Sequence, residues 1–165
     1  FFFVGLVVSC KNLEFTHAGK KNLLNPLYEK TDISVSGVET PFIKSYIPMF
    51  FGKTEENEFD LSINIKEKKT KRSVESNQAI SNLSYELRFF YSIKLNAEKC
   101  IVYEKEILSN FSITPKSSGY NYGTDTSLER KYELSTIDNL NRFISYLPDV
   151  DLYTCKWKLI QLIYY

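Results

Sequence analysis

Hydrophobic positions recur with a period of two in several stretches of the chain and with a helical period in two others. Ile33 and Val35 alternate with polar neighbours and predict a short first strand that Gly37 closes. Phe59, Leu61, Ile63 and Ile65 alternate with Asp60, Ser62, Asn64 and Lys66, the signature of a half-buried strand. The clearest alternation puts Leu83, Tyr85, Leu87, Phe89, Tyr91, Ile93 and Leu95 on one face and Ser84, Glu86, Arg88, Ser92 and Lys94 on the other; Phe90 is the apolar exception on the polar face. Asn96-Ala97-Glu98-Lys99 reads as a turn and Ile101 to Ile113 as the returning strand, so residues 83–113 are expected to form a long β-hairpin.

Helical spacing marks two more elements. Thr40-Pro41 supplies an N-cap and a proline at the first helical position. Phe42, Ile43, Tyr46, Ile47 and Phe50 then recur on one side, Pro48 is expected to kink or shorten the helix, and Gly52 to end it. Thr126-Ser127-Leu128-Glu129 has the pattern of a capping box, Leu134, Ile137, Leu140, Ile144 and Leu147 line one helical face, and Pro148 marks the end. The resulting order is strand, helix, three strands, helix. That order predicts an α+β domain over residues 32–147, with about four strands in an antiparallel or mixed sheet and two helices on one face. The segment 148–165, with Trp157-Lys158-Leu159-Ile160, is too short and interrupted to span a bilayer and is left unassigned.

Composition narrows the function classes. A chain of 165 residues with 43% hydrophobic and 15% aromatic residues can bury a single sizeable core. Lys plus Arg number 21 against 20 Asp plus Glu, and a net charge of +1 argues against a general nucleic-acid binder, which needs a marked basic excess. A single histidine disfavours a histidine-based metal centre or triad, and His17 reads as a solvated residue. No nucleophile elbow, zincin helix, P-loop or dinucleotide fingerprint occurs, so no enzyme, cofactor or metal is expected. The acidic residues read as solvated strand faces. Of the three cysteines, Cys100 and Cys155 either pair in an oxidising compartment or stay as buried thiols; the thiol reading is favoured slightly, because the sequence alone does not place the two Cα atoms within disulfide reach.

Two segments carry candidate chemistry. Phe1 to Val8 is apolar apart from Gly5 and ends in Leu6-Val7-Val8-Ser9-Cys10, a pattern like a bacterial lipobox. Residues 1–9 are read as part of a signal peptide whose charged start would lie upstream of Phe1, since the chain does not open on Met. Cys10 is the expected lipidation site, where diacylglycerol on the thiol and an acyl chain on the freed amine anchor the protein; each buried methylene contributes about 0.8 kcal/mol. Residues 10–31 follow as lipidated Cys and tether. The second segment, Lys66-Glu67-Lys68-Lys69-Thr70-Lys71-Arg72, is expected at a strand end and the start of a loop. One reading is a solvated stretch that blunts a strand edge. The other is a phosphate site in which Lys66, Lys68, Lys69, Lys71 and Arg72 give charge-assisted hydrogen bonds to an anionic headgroup.

The lipobox ending at Cys10, the Pro26-Leu27-Tyr28 stretch and the Ser118-Gly119-Tyr120-Asn121 segment after the last hairpin strand together resemble the lipopolysaccharide-assembly lipoprotein family (LptE-like), in particular its alphaproteobacterial branch. Tyr132-Glu133 sits where that family tends to place Ala-Glu in its closing helix. The chain departs from the pattern in a longer stretch between Cys10 and Pro26, in Pro48 and in the residues after Leu147. The resemblance implies a non-enzymatic protein on the periplasmic side of the outer membrane. It would plug and help fold the lipopolysaccharide-assembly β-barrel (LptD-like) and contact lipopolysaccharide as it enters the outer leaflet. The alternatives are another periplasmic lipoprotein, such as a pilotin or lipid-carrier module, and a soluble enzyme of unfamiliar design.

Overall fold

A computed structural model describes residues 25–38, 40–74, 80–114 and 122–155. The elements are β1 (Thr31–Gly37), α1 (Thr40–Phe51), β2 (Phe59–Val74), β3 (Ile80–Leu95), β4 (Cys100–Ile113) and α2 (Tyr122–Tyr146), followed by a 3-10 turn at Leu147–Asp149. The four strands form one sheet in the order β1-β2-β3-β4; β1 runs parallel to β2 and the other neighbours are antiparallel. The fold is therefore α+β with a mixed four-stranded sheet and two helices.

Alternation fixes which face is buried. Phe59, Leu61, Ile63 and Ile65 of β2 and every odd residue of β3 from Leu83 to Leu95 lie in the core. In β4 the register slips between Ile93 and Lys94 of its partner, which places Val102 inward before the alternation resumes through Ile107, Ser109 and Ile113. Both helices cover this face: Tyr91 stacks on Phe143 of α2 at 3.9 Å between ring centroids, and Tyr46 of α1 donates to the Glu133 carboxylate of α2 at 2.5 Å. Pro48 does not end α1. It lies on the exposed side, where the carbonyl it leaves without an amide can meet water, and the helix runs on to Phe51.

Three sequence expectations are revised. α2 starts at Tyr122, so the Thr126–Glu129 motif lies within its first turns instead of capping it. Leu140 and Leu147 are buried as expected and Ile137 and Ile144 pack on the core, but Leu134 is 51% exposed and Tyr132, Thr136, Asn139 and Phe143 join the buried side. Cys100 and Cys155 are not free thiols but a disulfide with Cα atoms 5.9 Å apart. Packing also begins before residue 32 and continues past 147. Leu27 is fully buried, Asn25 donates to the Phe50 carbonyl at 2.7 Å, and Leu152 lies in the core. The residues from 156 onward lie outside the described residues, as do Cys10 and His17.

β1 ends for a stated reason. Gly37 has φ of +99°, and a Cβ there would stand 2.0 Å from the Ile65 carbonyl oxygen. Only glycine can turn the chain so close to that backbone. Val38 closes the pairing by donating to the Ile65 oxygen at 3.2 Å, and the chain then leaves for α1.

Candidate functional site

The basic stretch is not a loop. β2 runs to Val74, and Lys66, Lys68 and Lys69 stand opposite Arg88, Glu86 and Tyr85 of β3. A strand turns successive side chains to opposite faces, so the pleat divides the cluster. Lys66, Lys68 and Thr70 are exposed on the face away from the helices. Glu67 falls on the helix side and accepts a hydrogen bond from the Tyr132 hydroxyl of α2. Lys69 follows on that side, with Nζ 5.2 Å from the Tyr85 ring centroid. Lys71 stands opposite Leu83, and Arg72 occupies a bulge, since β2 advances two residues there while β3 advances one. Lys66, Lys68 and Lys69, expected in one cradle with Lys71 and Arg72, are thus divided between the two faces. Lys66 and Lys68 are the pair that share the open face.

That open face is mainly polar, with Phe90, Ile101 and Leu108 as its apolar members. On the β1–β2 side the Ser34 and Ser62 hydroxyls share a hydrogen bond of 3.0 Å, and the Asn64 amide donates to the Ser36 hydroxyl at 2.8 Å. Across β3 and β4, Arg88 lies 2.8 Å from Glu86 and 3.7 Å from Glu106. The Glu86 hydrogen bond raises the Arg88 guanidinium above its ordinary value, so this cation is already engaged. Lys66 Nζ sits 5.2 Å from the Phe90 ring centroid, which gives the apolar exception of β3 a partner on its own face. A shallow polar depression lined by Lys68, Thr70, Ser84, Glu86, Asn110 and Ser112 adjoins these residues. The arrangement can bind anions through Lys66 and Lys68 and hydroxyl-rich groups through the serine and asparagine rows.

The opposite end of the sheet is built differently. The Glu58 carboxylate accepts from Lys30 at 2.8 Å and from the Tyr153 hydroxyl at 3.0 Å, and the Lys30 hydrogen bond holds it below the usual carboxylate range. Tyr153 also packs edge-on against Phe59 at 5.6 Å between centroids. Glu98, Cys100 and Cys155 bring metal-ligand types together here. With both sulfurs joined in the disulfide, the cluster offers a metal no thiolate. Sequence reasoning missed Glu67 and Asn139 as ties between sheet and helix. The available signals were a lone acid on the inward phase of the lysine run and a polar residue inside an apolar helical face.

No protein-family model matches the sequence, and no curated protein matches it significantly. Solved structures do match. Rare lipoprotein B from Shewanella oneidensis superposes with a TM-score of 0.54 at 9% identity, covering 73% of this chain and 94% of that one. A putative lipoprotein from Caulobacter crescentus gives 0.53 at 9% identity over 78% of this chain and 95% of its own. Lipoprotein B from Nitrosomonas europaea gives 0.55 at 12% identity, covering 73% and 83%. This chain shares the fold of these bacterial lipoproteins.

Proposed function

We propose that the chain is an envelope lipoprotein acylated on Cys10. In this reading it sits on the periplasmic face of the outer membrane, plugs and assists the lipopolysaccharide-assembly β-barrel, and contacts lipopolysaccharide during its insertion into the outer leaflet. The observation that carries the reading is the fold, shared with bacterial lipoproteins over 94% and 95% of the length of two of them. The Cys100–Cys155 disulfide supports it, because such bonds persist in oxidising compartments such as the periplasm. The polar open face supports a surface that meets a hydrated barrel lumen. Lys66 and Lys68 are the cations on that face assigned to glycolipid phosphates, with Lys69, Lys71 and Arg72 farther along the same strand.

Metabolic labelling with a palmitate analogue tests the anchor: the natural chain takes up label and Cys10→Ser does not. An unlabelled natural chain removes the anchoring claim. Affinity capture from solubilised outer membranes tests the partner. Recovery of the assembly barrel supports the plug, and an acylated chain that recovers no barrel is a pilotin or lipid-carrier module instead. Lys66→Glu with Lys68→Glu should weaken lipopolysaccharide binding most at low ionic strength, where exposed charges are least screened. Unchanged affinity there withdraws the phosphate assignment.

A further inference from the structure

The sheet has two edge strands, β1 and β4, and one further open stretch. β1 is short and ends at Gly37. On β4, the Leu108 carbonyl is covered by a hydrogen bond of 2.9 Å from the Arg142 guanidinium. β2 is different because it outruns its neighbour. β1 pairs with it only as far as Ile65, and among the described residues no strand lies on that side of β2 beyond that point. The Ile65 carbonyl faces the β1 side, where it accepts from Val38. Backbone groups alternate sides along a strand, so Glu67, Lys69 and Lys71 turn their amides and carbonyls to the same side. Among the described residues nothing bonds to them there. The stretch from Lys66 to Lys71 is regularly paired with β3 on its other side and ends at the Arg72 bulge.

We propose that this open edge, Lys66 to Lys71, takes up an extended acidic segment of another protein as an added strand. Main-chain bonds to Glu67, Lys69 and Lys71 would supply the pairing, and six residues give an edge about 20 Å long. Charge selects the occupant. The stretch carries Lys66, Lys68, Lys69 and Lys71, and its one acid, Glu67, is bonded to Tyr132. Like charges directly opposite one another destabilise a strand pair and opposite charges stabilise it. A second copy of this edge would therefore be repelled, while a strand with acidic residues beside the lysines would be held. Lysines on an exposed edge discourage indiscriminate pairing, and here they leave one class of partner admitted. The inference depends neither on acylation of Cys10 nor on a barrel partner.

The test uses the isotope-labelled full chain and a capped heptapeptide of alternating glutamate and valine, with amide exchange followed by NMR. The peptide should slow exchange at Glu67, Lys69 and Lys71 at least tenfold. The same peptide with alternate backbone nitrogens methylated should bind at least tenfold more weakly, because it keeps its charge and loses the edge bonds. A lysine-valine peptide should not bind natural chain but should bind the Lys66→Glu, Lys68→Glu variant. Equal binding of the methylated peptide with unchanged exchange would overturn the proposal in favour of a purely ionic contact, of the kind a phosphate makes. Slow exchange at all three amides without peptide would overturn it too, since a segment of this chain would then fill the edge.

Discussion

Tyr91 sits where the centre of the sheet meets α2. Its ring stacks on Phe143, and its hydroxyl donates to Asn139 Oδ1 at 2.8 Å. Asn139 is fully buried and passes the connection on, donating to the Ser109 hydroxyl at 2.7 Å and to the Ile107 carbonyl at 3.3 Å. Tyr91→Phe keeps the ring and strands the Asn139 oxygen, so it should cost about 1–3 kcal/mol in urea unfolding at neutral pH. Burial raises the Tyr91 hydroxyl far above its ordinary value. The unfolded chain ionises this group near pH ~10 while the folded chain holds the proton, so the natural protein should lose stability as pH rises above that point. Tyr91→Phe should lack its share of that alkaline loss, and the gap between the two proteins should narrow between about pH 10 and 11. Thr136 presents the opposite case. Its hydroxyl is buried without a hydrogen-bond partner among the described residues. Thr136→Val should leave stability unchanged or raise it by up to about 1 kcal/mol in the same assay, since it removes an uncompensated polar group; a loss above that would mean the hydroxyl has a partner.

At the scale of elements, the disulfide joins the start of β4 to the segment after α2 across 55 residues of sequence. Closing so long a loop restricts the unfolded chain, and replacing both cysteines by alanine should cost about 2–4 kcal/mol. Dithiothreitol should lower the unfolding midpoint of the natural chain and leave that of the double variant unmoved. The pairing was not legible beforehand, because nothing in the spacing of Cys100 and Cys155 says that α2 brings the later one back to the sheet. β3 was fully legible, since its inward positions are apolar from Leu83 to Leu95 and its outward positions are polar apart from Phe90. The distal half of β2 was hidden for a physical reason. Lysine has an apolar stem that can lie on an aromatic face while its charge reaches water, so Lys69 over Tyr85 occupies an inward phase that a hydropathy pattern scores as loop. The expected face of α2 was right at Leu140 and Leu147, which are buried, and at Ile137 and Ile144, which pack on the core; Leu134 was misassigned, because Tyr132, Thr136 and Asn139, with polar atoms of their own, were also taken inward.

At the scale of the whole molecule, packing among the described residues reaches from Asn25 to Cys155, beyond the 32–147 that periodicity suggested. Asn25 and Leu27 secure the start against α1, and Leu152 and Cys155 secure the end. A chain of residues 25–155 should therefore unfold in one cooperative step, with a midpoint within a few degrees of the full chain by circular dichroism. Two transitions, or failure to fold, would show that the remaining residues complete the core. The candidate site was legible only in composition. Lysines could be counted in the sequence, but their division between two faces follows from β2 being a strand, and the open edge follows from Gly37 ending β1 early. Both ends of the packed unit gather at one pole, where Lys30, Glu58 and Tyr153 meet beside Phe59. The lysines occupy the far half of a 16-residue strand, about 50 Å long, that starts at that pole. An attachment ahead of Asn25, such as the anchor proposed at Cys10, would hold the molecule by its heel and leave the cationic tip tens of ångströms from that pole.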